Sequence, residues 1–222
     1  MNTTPSDAPR LIIFDFDGTL GDTRANIVLT LQQTLRALGY PVAGEDAIAA
    51  TIGLPLETSF LQLLPQLSRE ETLRCAATYR EIFEKNRKLL VPKLFPHVQE
   101  VVAALYERGL TLTVASSRSS LSLKGFLQDM GVAQYFAYVL GADNVSKAKP
   151  DPEPVLKTLR DLDCSADETL VVGDMPVDIL MGRRAGARTC AVTYGNASRE
   201  ALEAAGADLV IDDIRDLLRL ID

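Results

Sequence analysis

Six short apolar runs, separated by segments of helical periodicity, place the strongest limit on what this chain can fold into. Each run is rich in β-branched or aromatic residues, as fully buried strands are. Neighbouring parallel strands need a crossover between them, and a helix usually supplies it. The alternation therefore predicts an α/β fold whose core is a doubly wound parallel sheet. The predicted strands are Leu11–Phe16, Leu110–Ala115, Tyr138–Leu140, Thr169–Val172, Thr189–Val192 and Asp208–Ile211.

The interval between the first two strands is too long for a simple crossover. It runs from Asp22 to about Pro96, carries no convincing strand signal and contains helical patterns at 22–39, 45–51, 56–64 and 69–88. Such a run of helices predicts an inserted helical bundle. We expect an α/β core domain of residues 1–21 and 93–222, with 1–9 disordered, and a helical cap domain of residues 22–92.

Composition narrows the range of functions. The chain has 23 lysines and arginines against 30 aspartates and glutamates, a net charge of −7 that disfavours nucleic-acid binding. No apolar stretch approaches the roughly 20 residues that cross a bilayer, so we expect no membrane partner. The start of the chain lacks the apolar segment of a secretion signal, and Cys75, Cys164 and Cys190 are far apart, as reduced thiols are. These features favour a cytoplasmic protein. Our further expectation, which composition does not decide, is a monomer or homodimer that acts on a small molecule.

Two carboxylates follow the first predicted strand. Asp15 and Asp17 are flanked by apolar residues, and Gly18 and Thr19 come directly after them. Open α/β sheets bind ligands at the carboxyl ends of their strands, and glycine permits a tight turn beside them. The segment is thus a candidate reaction site. The alternative is an ordinary polar turn that closes a strand.

A second pair of carboxylates, Asp174 and Asp178, follows the strand Thr169–Val172. The same argument places these side chains at the carboxyl edge of the sheet, close to Asp15 and Asp17. The alternative is that they only cap and stabilise the start of a helix.

Hydroxyl and basic residues follow other strands. Ser116, with Ser117 and Arg118 behind it, ends the second core strand, and Lys149 precedes a proline-rich helix start. Alone, Ser116 is typical of a helix N-cap and Lys149 of a solvated loop. Together with the four carboxylates, they predict one convergent site.

The order of these motifs resembles that of the haloacid dehalogenase superfamily, specifically its phosphatases with a helical C1-type cap after the first motif. The resemblance covers nearly the whole chain. Within the superfamily, Thr51–Leu56 and Val192–Gly195 are similar to segments of the phosphoglycolate phosphatases and their pyrophosphatase relatives. The chain departs from the usual motifs at Met175, Pro176 and Arg118, and none of these changes removes a charged catalytic group. The motifs are Asp15-Phe16-Asp17-Gly18-Thr19-Leu20, Ser116, Lys149-Pro150 and Gly173-Asp174 with Asp178.

The resemblance implies roles for the catalytic residues. Asp15 is expected to attack phosphorus and form an aspartyl-phosphate, which splits one hard displacement into two easier ones. Asp17 is expected to protonate the leaving group and then deprotonate water. Ser116 is expected to hydrogen-bond the phosphoryl group, and Lys149 to offset its charge.

The resemblance also implies Mg²⁺ as cofactor, a hard cation that prefers oxygen ligands. Asp15 and Asp174 are expected to bind it through carboxylates and Asp17 through its backbone carbonyl, with Asp178 as an auxiliary or supporting ligand. The remaining expected contacts are with substrate and involve Gly18, Thr19, Ser117 and Arg118.

Several functions share these residues. The leading expectation is hydrolysis of 2-phosphoglycolate, with inorganic pyrophosphatase, sugar-phosphate phosphatase and β-phosphoglucomutase as alternatives within the superfamily. A receiver-like phospho-aspartate signalling domain is the non-enzyme alternative, and the long insertion argues against it. The loop around Gly53, between two cap helices, is the candidate selector of a small substrate, with its backbone N–H groups or Arg24 recognising an anion.

Overall fold

The structure, a computed structural model, describes residues 8–86 and 91–221. Six of its strands form one parallel sheet with the order β5-β4-β1-β6-β7-β8, which confirms the predicted fold class. The strands are β1 (Leu11–Phe14), β2 (Gly21–Asp22), β3 (Lys93–Leu94), β4 (Thr111–Ala115), β5 (Phe136–Leu140), β6 (Thr169–Gly173), β7 (Arg188–Val192) and β8 (Leu209–Ile211). The helices are α1 (Arg24–Ala37), α2 (Glu45–Ala49), α3 (Leu56–Leu63), α4 (Arg69–Asn86), α5 (Val98–Glu107), α6 (Ser120–Asp129), α7 (Glu153–Leu162), α8 (Pro176–Arg184), α9 (Arg199–Ala204) and α10 (Asp216–Leu220).

Strand β1 lies in the middle of the sheet, paired with β4 on one side and β6 on the other. All four of its side chains are fully buried. Ile12 and Phe14 pack in an apolar cluster that includes residues of α5 and α6, whereas Leu11 and Ile13 pack with residues of α7 and α8. Because side chains alternate along a strand, both faces need a helical cover, and this explains the continuous apolar run.

The first strand is shorter than predicted. It ends at Phe14 rather than Phe16, because the Phe16 carbonyl accepts the N–H groups of Leu20 and Gly21 and the chain turns back there. The Asp15 amide still donates to the Val172 carbonyl at 2.8 Å. The first carboxylate is thus fixed to the edge of β6.

Helices α1 to α4 occupy the long interval and have an apolar core of their own, which includes Leu31, Leu35, Phe60 and Cys75. Helix α1 begins at Arg24, later than predicted, because Asp22 belongs to the short antiparallel ribbon of β2 and β3. That ribbon contradicts the expectation of no strand in the interval. The division into core and cap domains at 22 and 92 stays a prediction.

Some expectations lie outside the described residues. These are the end of the fourth cap helix at 88 and the first seven of the nine residues expected to be disordered. Of the other two, Pro9 is buried in the structure. Among the described residues, no helix combines the length and the apolar composition that a bilayer crossing needs.

Candidate active site

The carboxyl ends of β1, β4 and β6 bring the predicted motifs to one edge of the sheet. Asp15 and Asp174 directly follow β1 and β6, and Ser116 follows β4 with its amide donating to the Leu140 carbonyl. Ser116 and Lys149 line one small pocket. The N-cap of α6 is Ser119 rather than Ser116, so the N-cap reading of Ser116 is wrong.

Three buried carboxylates and one ammonium form the centre of the site. Ligand oxygens of Asp15, Asp174 and Asp178 all lie within 4.8 Å of one another. The Lys149 Nζ donates to Asp15 Oδ1 and to Asp178 Oδ1, each at 2.6 Å. Lys149 is only 4% exposed, so it is not a solvated loop lysine.

Burial controls the acidity of this cluster. It raises the pKa of Asp15 well above its ordinary value, although the Lys149 charge opposes the shift. Burial, reinforced by the charge of Asp178, raises the pKa of Asp174 to about 7. Burial disfavours the charged form of Lys149, but Asp15 and Asp178 outweigh it and raise the pKa of this ammonium. The single ammonium of Lys149 does not neutralise the three buried carboxylates. A further cation bound beside them would therefore stabilise their ionised forms.

The donor set fits a hard cation such as Mg²⁺. Asp15 Oδ2 is buried and has no hydrogen-bond partner, which is a costly state for a carboxylate oxygen. The surrounding acidic ligands supply oxygen alone, without sulfur or imidazole. The residues predicted to hold Mg²⁺ therefore suit it, although their ligand roles stay a prediction.

Asp174 is held by donors on both of its oxygens. Thr19 Oγ1 donates to Oδ1 at 3.1 Å, while the amide and Nδ2 of Asn196 donate to Oδ2 at 2.8 and 2.9 Å. A Cβ at Gly18 would lie 2.1 Å from Asp174 Oδ2, and one at Gly195 would lie 2.5 Å from the Gly18 carbonyl oxygen. Glycine is thus needed at both positions, because neighbouring atoms leave no room for a side chain. Sequence reasoning missed Asn196, although it directly follows a segment used in the family resemblance.

Asp178 has two functions in this arrangement. One oxygen accepts from Lys149, and the other accepts the Met175 amide at 3.1 Å near the start of α8. The alternative that Asp178 caps the start of a helix therefore describes part of its role. Its burial and its contact with Lys149 also make it part of the site.

Asp17 faces a different set of partners. Arg118 Nε donates to both Asp17 oxygens at 2.8 Å, and Thr23 Oγ1 donates to Oδ1 at 2.6 Å. The Arg118 amide also donates to Ser116 Oγ at 3.2 Å. Sequence reasoning did not find Thr23. The side chain of Asp17 points to these donors, and metal binding through its backbone carbonyl stays a prediction.

The loop around Gly53 touches the core. Ser117 Oγ donates to the Gly53 carbonyl at 2.6 Å, and a Cβ at Gly53 would lie 3.3 Å from Met175 Cγ. Arg24, the other candidate for anion recognition, instead forms ion pairs with Glu45 and Asp46. Ser117 and Arg118 both donate side-chain hydrogen bonds to protein groups in this structure. Their expected contact with substrate stays a prediction.

Comparison with known proteins relates most of the chain to one family. A profile of the haloacid dehalogenase-like hydrolases matches residues 12–192. IndB from Dickeya dadantii, named as a probable phosphatase, is 39% identical over 210 residues, covering 94% of this chain and 91% of IndB. PpaX from Caldanaerobacter subterraneus, named provisionally as a pyrophosphatase, is 35% identical, covering 95% of this chain and 93% of PpaX.

Two further proteins extend the comparison. The phosphoglycolate phosphatase of Aquifex aeolicus is 32% identical, with coverage of 96% of this chain and 97% of the relative. The crystal structure of a hydrolase from Pseudomonas syringae is 27% identical and superposes with a TM-score of 0.84, covering 95% of this chain and 97% of that one. The similarity to all four proteins thus extends over nearly the full length.

Proposed function

This chain belongs to the haloacid dehalogenase-like hydrolase family, and from that premise we propose that it is a Mg²⁺-dependent phosphatase that acts through an aspartyl-phosphate at Asp15. The family match and the names of the relatives confirm the resemblance found in the motifs, and with it the expectation of a phosphatase enzyme. The observation that carries the finer proposal is the Asp15 carboxylate, with one oxygen bound to Lys149 and the other buried without a partner.

In the first half-reaction Asp15 is the nucleophile. One of its oxygens forms a bond to phosphorus while the bond between phosphorus and the ester oxygen breaks. Asp17 gives its proton to the departing oxygen, which leaves as an alcohol. Ser116 donates a hydrogen bond to the transferring phosphoryl group, and Lys149 offsets part of its charge.

In the second half-reaction Asp17 is the base. It takes a proton from water as the water oxygen bonds to phosphorus, and the bond between phosphorus and Asp15 breaks. Inorganic phosphate leaves, Asp15 is again a carboxylate, and Asp17 is again protonated. One residue thus serves both proton transfers. The second half-reaction is the reverse of the first with water in place of the alcohol, so the acid of the first acts as the base of the second.

Asp15, Asp174 and the Asp17 carbonyl would hold Mg²⁺, with Asp178 beside them. When bound, this ion would reduce the electrostatic repulsion between the attacking carboxylate and the phosphoryl dianion. Thr19 and Asn196 fix the orientation of Asp174 for that purpose. Gly18 and Thr19 shape the loop that receives the phosphoryl group.

We propose 2-phosphoglycolate as substrate, with pyrophosphate as the second candidate. The loop at Gly53 supports a small substrate, because its carbonyl lies within hydrogen-bond distance of Ser117 in the core. Sequence identity does not rank the two candidates, because the relatives named for them are 32% and 35% identical to this chain. Since Arg24 is paired with two carboxylates, backbone N–H groups are the better candidates for recognising the second anionic group. Action in the cytoplasm as a monomer or homodimer stays a prediction.

A panel of phosphomonoesters and pyrophosphate, ranked by kcat/KM with Mg²⁺, tests the proposal. We expect turnover of small phosphomonoesters, loss of turnover in excess EDTA, and its return when Mg²⁺ is restored. Product analysis with a sugar phosphate distinguishes a phosphatase, which releases inorganic phosphate, from a mutase, which moves the phosphoryl group to another hydroxyl. Full activity in EDTA would contradict the metal assignment, and absence of turnover with every phosphate ester would contradict the function.

A further inference from the structure

Arg118 forms the tightest charged contact of the site outside the Lys149 cluster. Its Nε lies 2.8 Å from both oxygens of Asp17, and its Nη2 lies 2.6 Å from Oδ1. The Arg118 side chain is 10% exposed and that of Asp17 is 9% exposed. Together with the Thr23 hydroxyl on Oδ1, the guanidinium fixes the carboxylate plane from two directions. Such a planar, two-pronged contact is specific to arginine among the basic residues.

Three aromatic rings surround the same guanidinium. Its central carbon lies 4.9 Å from the ring centroid of Phe126, 5.1 Å from that of Phe83 and 5.9 Å from that of Phe16. A cation at these distances is attracted to the rings. Phe83 and Phe126 also meet edge to face at 6.0 Å, and Tyr79 stacks on Phe83 at 5.9 Å. The guanidinium is thus held in a closely packed aromatic cage.

The cage is shared between the two parts of the fold. Phe16 follows β1 and Phe126 lies on α6, so both belong to the core, whereas Phe83 lies on α4, the last helix of the long insertion. A movement of α4 away from the core would remove one of the three rings. Arg118 therefore links the insertion, through Phe83, to the carboxylate of Asp17.

We propose that Arg118 is a positioning residue: it aims the Asp17 carboxylate for proton transfer, and its own seat is completed by Phe83 of the insertion. The inference rests on the proposed function, in which Asp17 exchanges protons with the leaving group and with water. Arg118 donates to both Asp17 oxygens and takes no part in the proton transfer itself. The competing role, direct substrate binding by Arg118, is an outcome of the test.

The test compares Arg118→Met and Arg118→Lys with the wild-type enzyme on phosphate esters of increasingly good leaving groups. We expect Arg118→Met to lower kcat by about 100-fold for an alkyl phosphate, the range of general acid–base catalysis, and to change KM by less than about threefold. The loss should shrink for aryl phosphates whose leaving group needs no proton. Arg118→Lys, which keeps the charge and loses the two-pronged contact, should lie between Met and wild type, and guanidinium ion should restore part of the kcat of an Arg118→Ala variant.

Phe83→Leu tests the contribution of the insertion. It should lower kcat with the same dependence on the leaving group, but by less than Arg118→Met. Phe60→Leu is the matched control, since Phe60 is a fully buried phenylalanine of the insertion whose ring contacts Tyr79 rather than Arg118. Thermal melting of each variant shows whether it is folded, and Phe60→Leu should change stability without changing the leaving-group dependence.

An Asp17→Asn background gives the sharpest comparison. If Arg118 acts through Asp17, adding Arg118→Met to that background should reduce kcat by no more than about twofold, since the two residues act as a unit. A rise in KM with unchanged kcat would assign Arg118 to substrate binding instead, and equal losses for all leaving groups or additive losses in the double variant would also overturn the inference. A wild-type enzyme without any turnover would overturn the proposed function itself, so the two failures are distinct.

Discussion

The two carboxylates of the first motif are two residues apart, yet different regions of the molecule hold them. Asp15 contacts Lys149 and the backbone of β6, which belong to the core sheet and its loops. Asp17 contacts Thr23, just before the first helix of the insertion, and Arg118, whose cage includes Phe83. In the proposed mechanism the nucleophile is thus held by core residues, whereas the proton-transferring group is also held by Thr23 and, through Arg118, by Phe83 of the insertion. We therefore expect phosphate binding to depend mainly on the core, and proton transfer to depend also on the position of the insertion.

Removing each carboxylate in turn should give the largest effects and should differ in kind. Asp15→Asn is expected to lower kcat by at least about 10⁴-fold for every phosphate ester, because no nucleophile remains. Asp17→Asn is expected to lower kcat by about 10²- to 10⁴-fold with alkyl esters and by less with aryl esters, whose leaving groups need no proton. Steady-state kinetics on both ester types makes the comparison. Near-native kcat in Asp15→Asn would assign the nucleophile to another residue.

Asn196→Ala should weaken the core half of the site alone. The substitution removes the Nδ2 donor to Asp174 Oδ2 and keeps the backbone donor. We expect Mg²⁺ to bind at least about tenfold more weakly, the usual effect of removing a group that orients a metal ligand. Calorimetric titration of the substrate-free protein with Mg²⁺ measures this directly. Asn86→Ala is the control, since it removes a buried amide from the helical insertion and should leave Mg²⁺ affinity unchanged.

Gly53→Val should act on the contact between the insertion and the core. Gly53 has φ +91°, where a valine is strained, and an added Cβ would lie 3.3 Å from Met175 Cγ, so the Met175 side chain must give by a few tenths of an ångström. We expect kcat/KM for 2-phosphoglycolate to fall about tenfold, equivalent to about 1.4 kcal/mol, with a smaller change for an aryl phosphate. Gly39→Val is a matched control, because Gly39 has φ +76° in the same insertion and open space around it. Equal changes for phosphoglycolate, pyrophosphate and an aryl phosphate would show that the loop does not select the substrate.

A further prediction concerns the pH dependence of protein stability in the absence of metal. Asp174 has an ordinary pKa of 3.8 and a folded-state pKa of about 7, so within this window the unfolded chain releases a proton that the folded protein retains. Stability in EDTA should therefore fall as pH rises from about 4 to about 7 and then level off. Mg²⁺ should raise the melting temperature more at pH 7.5 than at pH 5, because it replaces that proton. Melting curves of wild type and Asp174→Asn test this, and an equal slope in both would contradict it.

The difference between the two halves of the site also explains what sequence could and could not predict. β1 and β6 are buried on both faces, which produces continuous apolar runs, and the carboxylates follow at their ends by the general rule for parallel sheets. Asn196 and Phe83 gave no such signal, because their roles depend on contacts with residues far along the chain. The ribbon of β2 and β3 was missed because two-residue strands are too short to show a period of two.

The most direct test of the account is to isolate the covalent intermediate. Asp17→Asn protein mixed with Mg²⁺ and an aryl phosphate, then quenched in acid, should carry one phosphoryl group, because the variant can be phosphorylated but lacks the base that activates water. Peptide mass spectrometry should place that group on Asp15, and Asp15→Asn protein treated in the same way should carry none. A phosphoryl group on another residue, or release of phosphate by Asp15→Asn at the wild-type rate, would contradict the assignment of Asp15 as the nucleophile.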